Sequence, residues 1–164
     1  MSQRENSSAV RKRSLQAVAA DKVPTHKVRR AAVGKLSSHG AASHPKPRVL
    51  IADDDEGVRS LLQECLTEWG YEVLVTENGL ECVKEFQSNE FELVITNFLM
   101  PRLNGIEVVK ILKTLDKDIP VLLVSGHEIK DMDIDDEVEL HDGYLKKPFE
   151  LQDLYSLVHK VVAF

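Results

Sequence analysis

From Arg48 onward, short runs of apolar residues alternate with longer segments whose apolar residues recur every three or four positions. The first run, RVLIA, is apolar almost throughout, which is typical of a strand covered on both faces. The segment after it has the period of an amphipathic helix and ends at Gly70. The apolar residues of its face are Val58, Leu61, Leu62, Cys65, Leu66 and Trp69. This alternation predicts an α/β fold, because only helices on both sides of a sheet would bury such strands.

The same alternation continues to the end of the chain. Four further strands are predicted at YEVLV, ELVIT, PVLLV and GYLK, with helical patterns between most of them and a closing helix that starts near Leu151. Strands joined by helices form right-handed crossovers, so we expect a doubly wound parallel sheet of five strands. Residues 127–142 are acidic and poorly periodic, and we interpret them as a frayed fourth helix, with a mobile partner surface as the alternative.

The N-terminal part of the chain has a different composition. Residues 1–47 contain ten Lys and Arg residues against two acidic residues, whereas residues 48–164 contain eleven against 25. Pro24, Pro45 and Pro47 interrupt the basic part, which has no sustained apolar period. We therefore predict a basic, mostly disordered tail over residues 1–47 and a single domain over residues 48–164.

The basic tail raises the alternative that the protein is a nucleic-acid or anionic-surface binding module. We favour a solvated tail, or one that lies on its own acidic domain, because aromatic residues make up only 5% of the chain and no DNA-binding pattern is present. No apolar run is long enough for a membrane span, and we expect no secretory signal because the N-terminus lacks the apolar core of one. The Arg- and Ser-rich start also has the composition of an organellar transit peptide. We expect a cytoplasmic protein with two reduced cysteines.

Polar residues stand where the predicted parallel strands end. Asp53 and Asp54 follow the first strand, Asn97 the third, Ser125 the fourth and Lys147 the fifth. Binding sites in open parallel sheets form at this edge. Two adjacent carboxylates favour a hard cation such as Mg²⁺, and a lysine with a hydroxyl would hold the oxygens of a phosphoryl group. Each residue alone has a plain structural explanation, since an Asp run often caps a helix and Lys-Pro often forms a turn.

The motifs VLIADDD, LVITNFLMPRLNG, VLLVSGH and DGYLKKPF together resemble the receiver domain of two-component response regulators over residues 48–164. The resemblance implies a flavodoxin-like fold. It also implies a role for each matching residue. By motif position, the metal ligands would be Asp53, Asp54 and the backbone carbonyl of Leu99, the phosphoryl-binding hydroxyl and lysine would be Ser125 and Lys147, and the aromatic that turns inward on activation would be Tyr144.

The chain departs from this family pattern at Asn97, where the family has its phosphoacceptor aspartate, and more mildly at Asn104. An amide oxygen is uncharged and a poor nucleophile, so we expect phosphorylation to be blocked and Mg²⁺ binding to be weakened. Three explanations stay open. Asn97 is natural and marks a degenerate receiver, it was introduced to hold a regulator unphosphorylated, or a neighbouring residue takes the phosphoryl group.

The resemblance also implies partners. We expect a sensor histidine kinase or a phosphotransfer protein, and a downstream protein that docks on the fourth helix, the fifth strand and the closing helix. No further domain is expected after Phe164, so the effect would be delivered by docking. We expect no enzymatic activity. Ser125 and His127 are close in sequence, but no nucleophile-elbow pattern surrounds the serine, and there is no Walker A motif.

Overall fold

The computed structural model describes residues 45–127 and 141–162, and the predicted tail and fourth helix therefore lie almost wholly outside the described residues. Nine elements follow one another in the described part. In chain order they are β1 (Arg48–Ala52), α1 (Glu56–Glu68), β2 (Glu72–Thr76), α2 (Gly79–Ser88), β3 (Leu93–Asn97), α3 (Gly105–Leu115), β4 (Val121–Ser125), β5 (Gly143–Lys146) and α4 (Leu151–Val161). The label α4 thus denotes the closing helix.

The five described strands form one sheet in the order β2-β1-β3-β4-β5, and all four neighbouring pairs are parallel. This is the doubly wound, flavodoxin-like arrangement that the sequence predicts. Strands β2, β3 and β4 each begin and end one residue later than the apolar runs indicate. The backbone ladder explains the difference, because Asn97 still pairs with Val124, and Ser125 with Lys146, although their side chains are polar.

Each strand sends alternate side chains to opposite sides of the sheet. In β1, Val49 and Ile51 pack against α1 and α4, whereas Leu50 and Ala52 pack against α2 and α3. All four side chains are completely buried. The sheet therefore has a hydrophobic layer on each face, as expected for strands that are apolar at nearly every position.

Three of the four described helices begin at a residue whose side chain accepts a hydrogen bond from the backbone of the first turn. These residues are Asp55, Asn78 and Asn104. Helix α1 ends before Gly70, which has a positive φ of 95° and so reverses the chain at little cost. Leu61 lies on the apolar face that the sequence period gives for α1, yet 41% of its surface is exposed. The apolar stripe is narrower than the sequence period indicates.

Candidate functional site

The carboxyl ends of β1, β3, β4 and β5 lie at one edge of the sheet because these strands are parallel. This edge brings together the five polar residues that the sequence analysis selects. We call them the strand-end site: Asp53, Asp54, Asn97, Ser125 and Lys147. Asp53, Asn97 and Ser125 are buried, whereas Asp54 is exposed.

Asp53 forms the buried ion pair of the site. Its Oδ2 lies 2.7 Å from Nζ of Lys147, and its Oδ1 accepts a 2.9 Å hydrogen bond from the backbone N–H of Asp55. Only 1% of the Asp53 side chain is exposed, against 22% for Lys147. A carboxylate this deeply buried needs a charged partner and further hydrogen bonds, and both are present.

The backbone of Lys147 is fixed separately from its side chain. Its N–H donates a 2.7 Å hydrogen bond to the carbonyl of Ser125, which joins the ends of β4 and β5. The sheet therefore fixes the backbone position from which the ammonium group of Lys147 reaches Asp53.

The side chain of Asn97 uses its amino group in the site. Nδ2 donates to Oδ1 of Asp54 over 2.9 Å and to the backbone carbonyl of Leu99 over 2.8 Å. The backbone continues the β3–β4 ladder beyond this residue, since Phe98 N–H donates to the carbonyl of Val124 at 2.9 Å. Asn97 thus contacts two of the groups that the family resemblance assigns to a metal.

Ser125 and Tyr144 are connected through His127. The hydroxyl of Ser125 accepts a 3.0 Å hydrogen bond from the backbone N–H of His127, and the hydroxyl of Tyr144 donates to the carbonyl of the same residue. The Tyr144 ring packs against a small buried cluster that contains Ile106 and Leu123. The group that contacts the Ser125 hydroxyl here is thus a backbone amide. A backbone N–H cannot act as a general base that would activate the serine.

Two further residues, which the sequence does not single out, contact the strand-end site. Arg59 donates from Nη1 to the backbone carbonyl of Asp53 at 2.8 Å, which ties α1 to the end of β1. Gly105 lies at the start of α3, close to Asn97. A Cβ atom added to Gly105 would come within 2.4 Å of the backbone oxygen of Asn97. The spacing of Arg59 one turn after the Asp run is the only sequence signal for its role.

The side chain of Asp55, the third residue of the Asp run, caps α1 instead of pairing with a residue of the site. Its Oδ1 accepts a 3.0 Å hydrogen bond from the N–H of Val58. This hydrogen bond to the charged form lowers the pKa of the Asp55 carboxyl below its ordinary value. The plain structural explanation offered for the Asp run is thus correct for this residue.

Comparison with known protein families identifies the family of this chain. The family model of the response regulator receiver domain matches residues 49–159. The chain belongs to this family. Its fold and the position of its strand-end site at the carboxyl edge of the sheet agree with that membership. Receiver domains are in general signalling modules of two-component systems rather than enzymes.

Relatives of this receiver include both sequences and solved structures. It is 30% identical over 115 residues to the response regulator receiver protein CpdR of Brucella abortus, covering 70% of this chain and 96% of CpdR. The response regulator TrrA of Thermotoga maritima, solved with Mg²⁺ and BeF, is 34% identical with a TM-score of 0.65, covering 70% of this chain and 98% of that one. In a second structure TrrA is bound to the histidine kinase ThkA, with 33% identity, a TM-score of 0.64 and coverage of 71% and 99%.

Several other curated relatives are longer than this receiver, and the aligned region spans 47% or 26% of their length. Their activities as whole proteins are therefore not ascribed to this chain. Within the described part of the chain, no helix is long and apolar enough to cross a membrane.

Receiver domains generally bind Mg²⁺, and the fit of this receiver to the ion depends on its oxygen donor groups. Carboxylate and carbonyl oxygens are its preferred ligands. Here Asp53 is paired with Lys147, and the oxygens of Asp54 and Leu99 both face the amino group of Asn97. Among the described residues, no group of three or more His, Cys, Asp or Glu is placed to hold a metal. In this arrangement the residues do not fit Mg²⁺.

Proposed function

We propose that this chain is a receiver protein of a two-component phosphorelay in which Asn97 stands at the phosphoacceptor position and blocks phosphorylation. The observation that carries the proposal is the orientation of the Asn97 amide, whose amino group donates to Asp54 and to the carbonyl of Leu99. The protein then acts by docking on partner proteins without a covalent signal.

The chemistry of phosphoryl transfer explains the block. An aspartyl phosphate forms when a negatively charged carboxylate oxygen attacks phosphorus and the donor group leaves with its electron pair. Asn97 carries no negative charge, and the lone pair of its amide nitrogen is delocalised into the carbonyl group, so neither its oxygen nor its nitrogen is an effective nucleophile. Lys147 and Ser125, the residues proposed to hold the phosphoryl oxygens, retain the right chemistry, but their partners in the structure are Asp53 and the His127 amide.

Mg²⁺ binding is proposed to be weaker than in a receiver with aspartate at this position. The proposed ligands Asp53, Asp54 and the Leu99 carbonyl keep two negative charges, and an aspartate would supply a third. Fewer anionic ligands lower the affinity for a hard divalent cation.

The proposed partners are a sensor histidine kinase or phosphotransfer protein at the strand-end site, and a downstream protein on the face formed by the predicted fourth helix, β5 and α4. The kinase complex of the similar protein TrrA supports the first partner. The position of Tyr144 in β5 and the exposure of Tyr155 on α4 support the second. The fourth helix of this face lies outside the described residues. A cytoplasmic location, and the division at residue 47 into a tail and a domain, stay predictions.

The decisive experiment compares the wild type with Asn97→Asp by intact mass after incubation with MgCl₂ and acetyl phosphate. We expect a phosphoryl adduct on Asn97→Asp only, because the other groups of the site are retained. Asn104→Asp is the matched control, since it makes the same chemical change in the neighbouring loop. An adduct on the wild type would overturn the proposed block, and peptide mapping would then locate the neighbouring acceptor.

A further inference from the structure

The amino group of Asn97 is held by two oxygens that can only accept hydrogen bonds. One belongs to the carboxylate of Asp54 and the other to the backbone carbonyl of Leu99, at 2.9 and 2.8 Å. A side-chain amide has two N–H donors on its nitrogen and none on its oxygen. Both donors are therefore used here, and the reverse orientation would place the amide oxygen against two acceptors.

The same two oxygens are the proposed ligands of Mg²⁺. The N–H groups carry partial positive charge and point at the oxygens that would otherwise face a cation. The remaining carboxylate, Asp53, is neutralised by the ammonium group of Lys147 at 2.7 Å. Each of the three proposed metal ligands is thus already bound to a positive or partly positive group of the same chain.

We propose that the Asn97 amino group replaces the divalent cation of this site, so that the strand-end site is complete without Mg²⁺ and resists its entry. This inference deepens the proposed function and rests on its assignment of the metal ligands. It differs from weaker binding caused by a missing charge. If Asn97 were only a poor ligand, removing its side chain would weaken Mg²⁺ binding further, whereas removing a blocking group would strengthen it.

Asn97→Ala separates these two mechanisms. The alanine frees the oxygens of Asp54 and Leu99 from the amino group and adds no charge. We expect isothermal titration calorimetry with MgCl₂ to show Mg²⁺ binding about tenfold or more tighter than in the wild type, because two hydrogen bonds need no longer be broken. Equal or weaker binding by Asn97→Ala would overturn the proposal.

A second measurement keeps the proposal testable if Asn97→Ala does not fold. The Tm of the wild type should stay constant when MgCl₂ replaces NaCl at equal ionic strength. Asn97→Asp, which gains a third carboxylate and loses the amino group, should have a lower Tm without Mg²⁺ and recover with it. The control Asn104→Asp should respond as the wild type does.

The outcomes also separate this inference from the proposed function. A wild type whose Tm rises with Mg²⁺ as much as that of Asn97→Asp, yet gains no phosphoryl group, would overturn the inference and leave the block on phosphorylation standing. A wild type that gains a phosphoryl group would overturn the proposed function itself.

Discussion

Asp53 lies at the buried end of β1 with 1% of its surface exposed, whereas its neighbour Asp54 is exposed to solvent. The buried carboxylate faces the ammonium group of Lys147, and the exposed one faces the neutral amide of Asn97. One half of the strand-end site is therefore an ion pair in the protein interior, and the other half is a hydrogen bond at its surface.

The two halves differ in how strongly the stability of the fold depends on the partner of each carboxylate. Water cannot reach Asp53 to compensate a missing partner, so this half needs a full positive charge. Asp54 is hydrated in either case, so its partner can change without a large loss of stability. We infer that the Asp53 half anchors the fold, whereas the Asp54 half is free to determine which ligand the site accepts.

The largest expected effect comes from Lys147→Met, which removes the partner of the buried carboxylate. Breaking a buried pair from one side costs about 3 kcal/mol when the lost partner is partly exposed, as Lys147 is. Urea unfolding at neutral pH, followed by Trp69 fluorescence, measures this loss. Lys110→Met, which removes an exposed lysine from α3, is the control and should be neutral. A fully stable Lys147→Met protein would contradict the proposed difference between the halves.

A smaller and more direct comparison makes the same change at both carboxylates. Asp53→Asn should cost about 1–2 kcal/mol, because a buried charge-assisted hydrogen bond is weakened. Asp54→Asn should change the free energy of unfolding by less than about 0.5 kcal/mol, as for most exposed positions. Both variants are compared with the wild type in the same urea titration. Equal losses at the two positions would show that burial does not separate them.

The smallest expected effect concerns Asp55, the third carboxylate of the run. Its pKa is lowered in the folded protein, so its stabilising contribution is present above the ordinary value of 3.8 and is lost as the pH falls through the lower folded value. Asp55→Asn keeps a side-chain acceptor at the start of α1 without the titration. Stability measured from pH 5 downward should therefore fall less steeply below pH 3.8 in Asp55→Asn than in the wild type. Parallel curves would contradict this assignment.

Much of the fold follows from the sequence because strands buried on both faces have a distinctive composition. RVLIA and GYLK coincide with β1 and β5, and the polar residues after the strands meet at one edge, as parallel pairing requires. The other three strands extend one residue further than their apolar runs, because backbone pairing does not depend on whether a side chain is apolar.

The contacts inside the strand-end site could not be predicted from the sequence. Which carboxylate pairs with Lys147 depends on how deeply each side chain is buried. The sequence does not show which of two neighbouring aspartates is the buried one. The direction of the Asn97 amide depends on the Leu99 carbonyl, a backbone group that every residue has. Arg59 was missed for the same reason, since its partner is the carbonyl of Asp53.

The backbone hydrogen bond from Phe98 to Val124 also affects the chemical stability of the Asn97 side chain. An asparagine loses its amide in solution when the backbone nitrogen of the next residue attacks the side-chain carbon and ammonia leaves. In this chain that nitrogen is held in the β3–β4 ladder, and the amide itself is held by Asp54 and Leu99. We therefore expect spontaneous conversion of Asn97 to aspartate to be slow, so that asparagine persists at this position during storage.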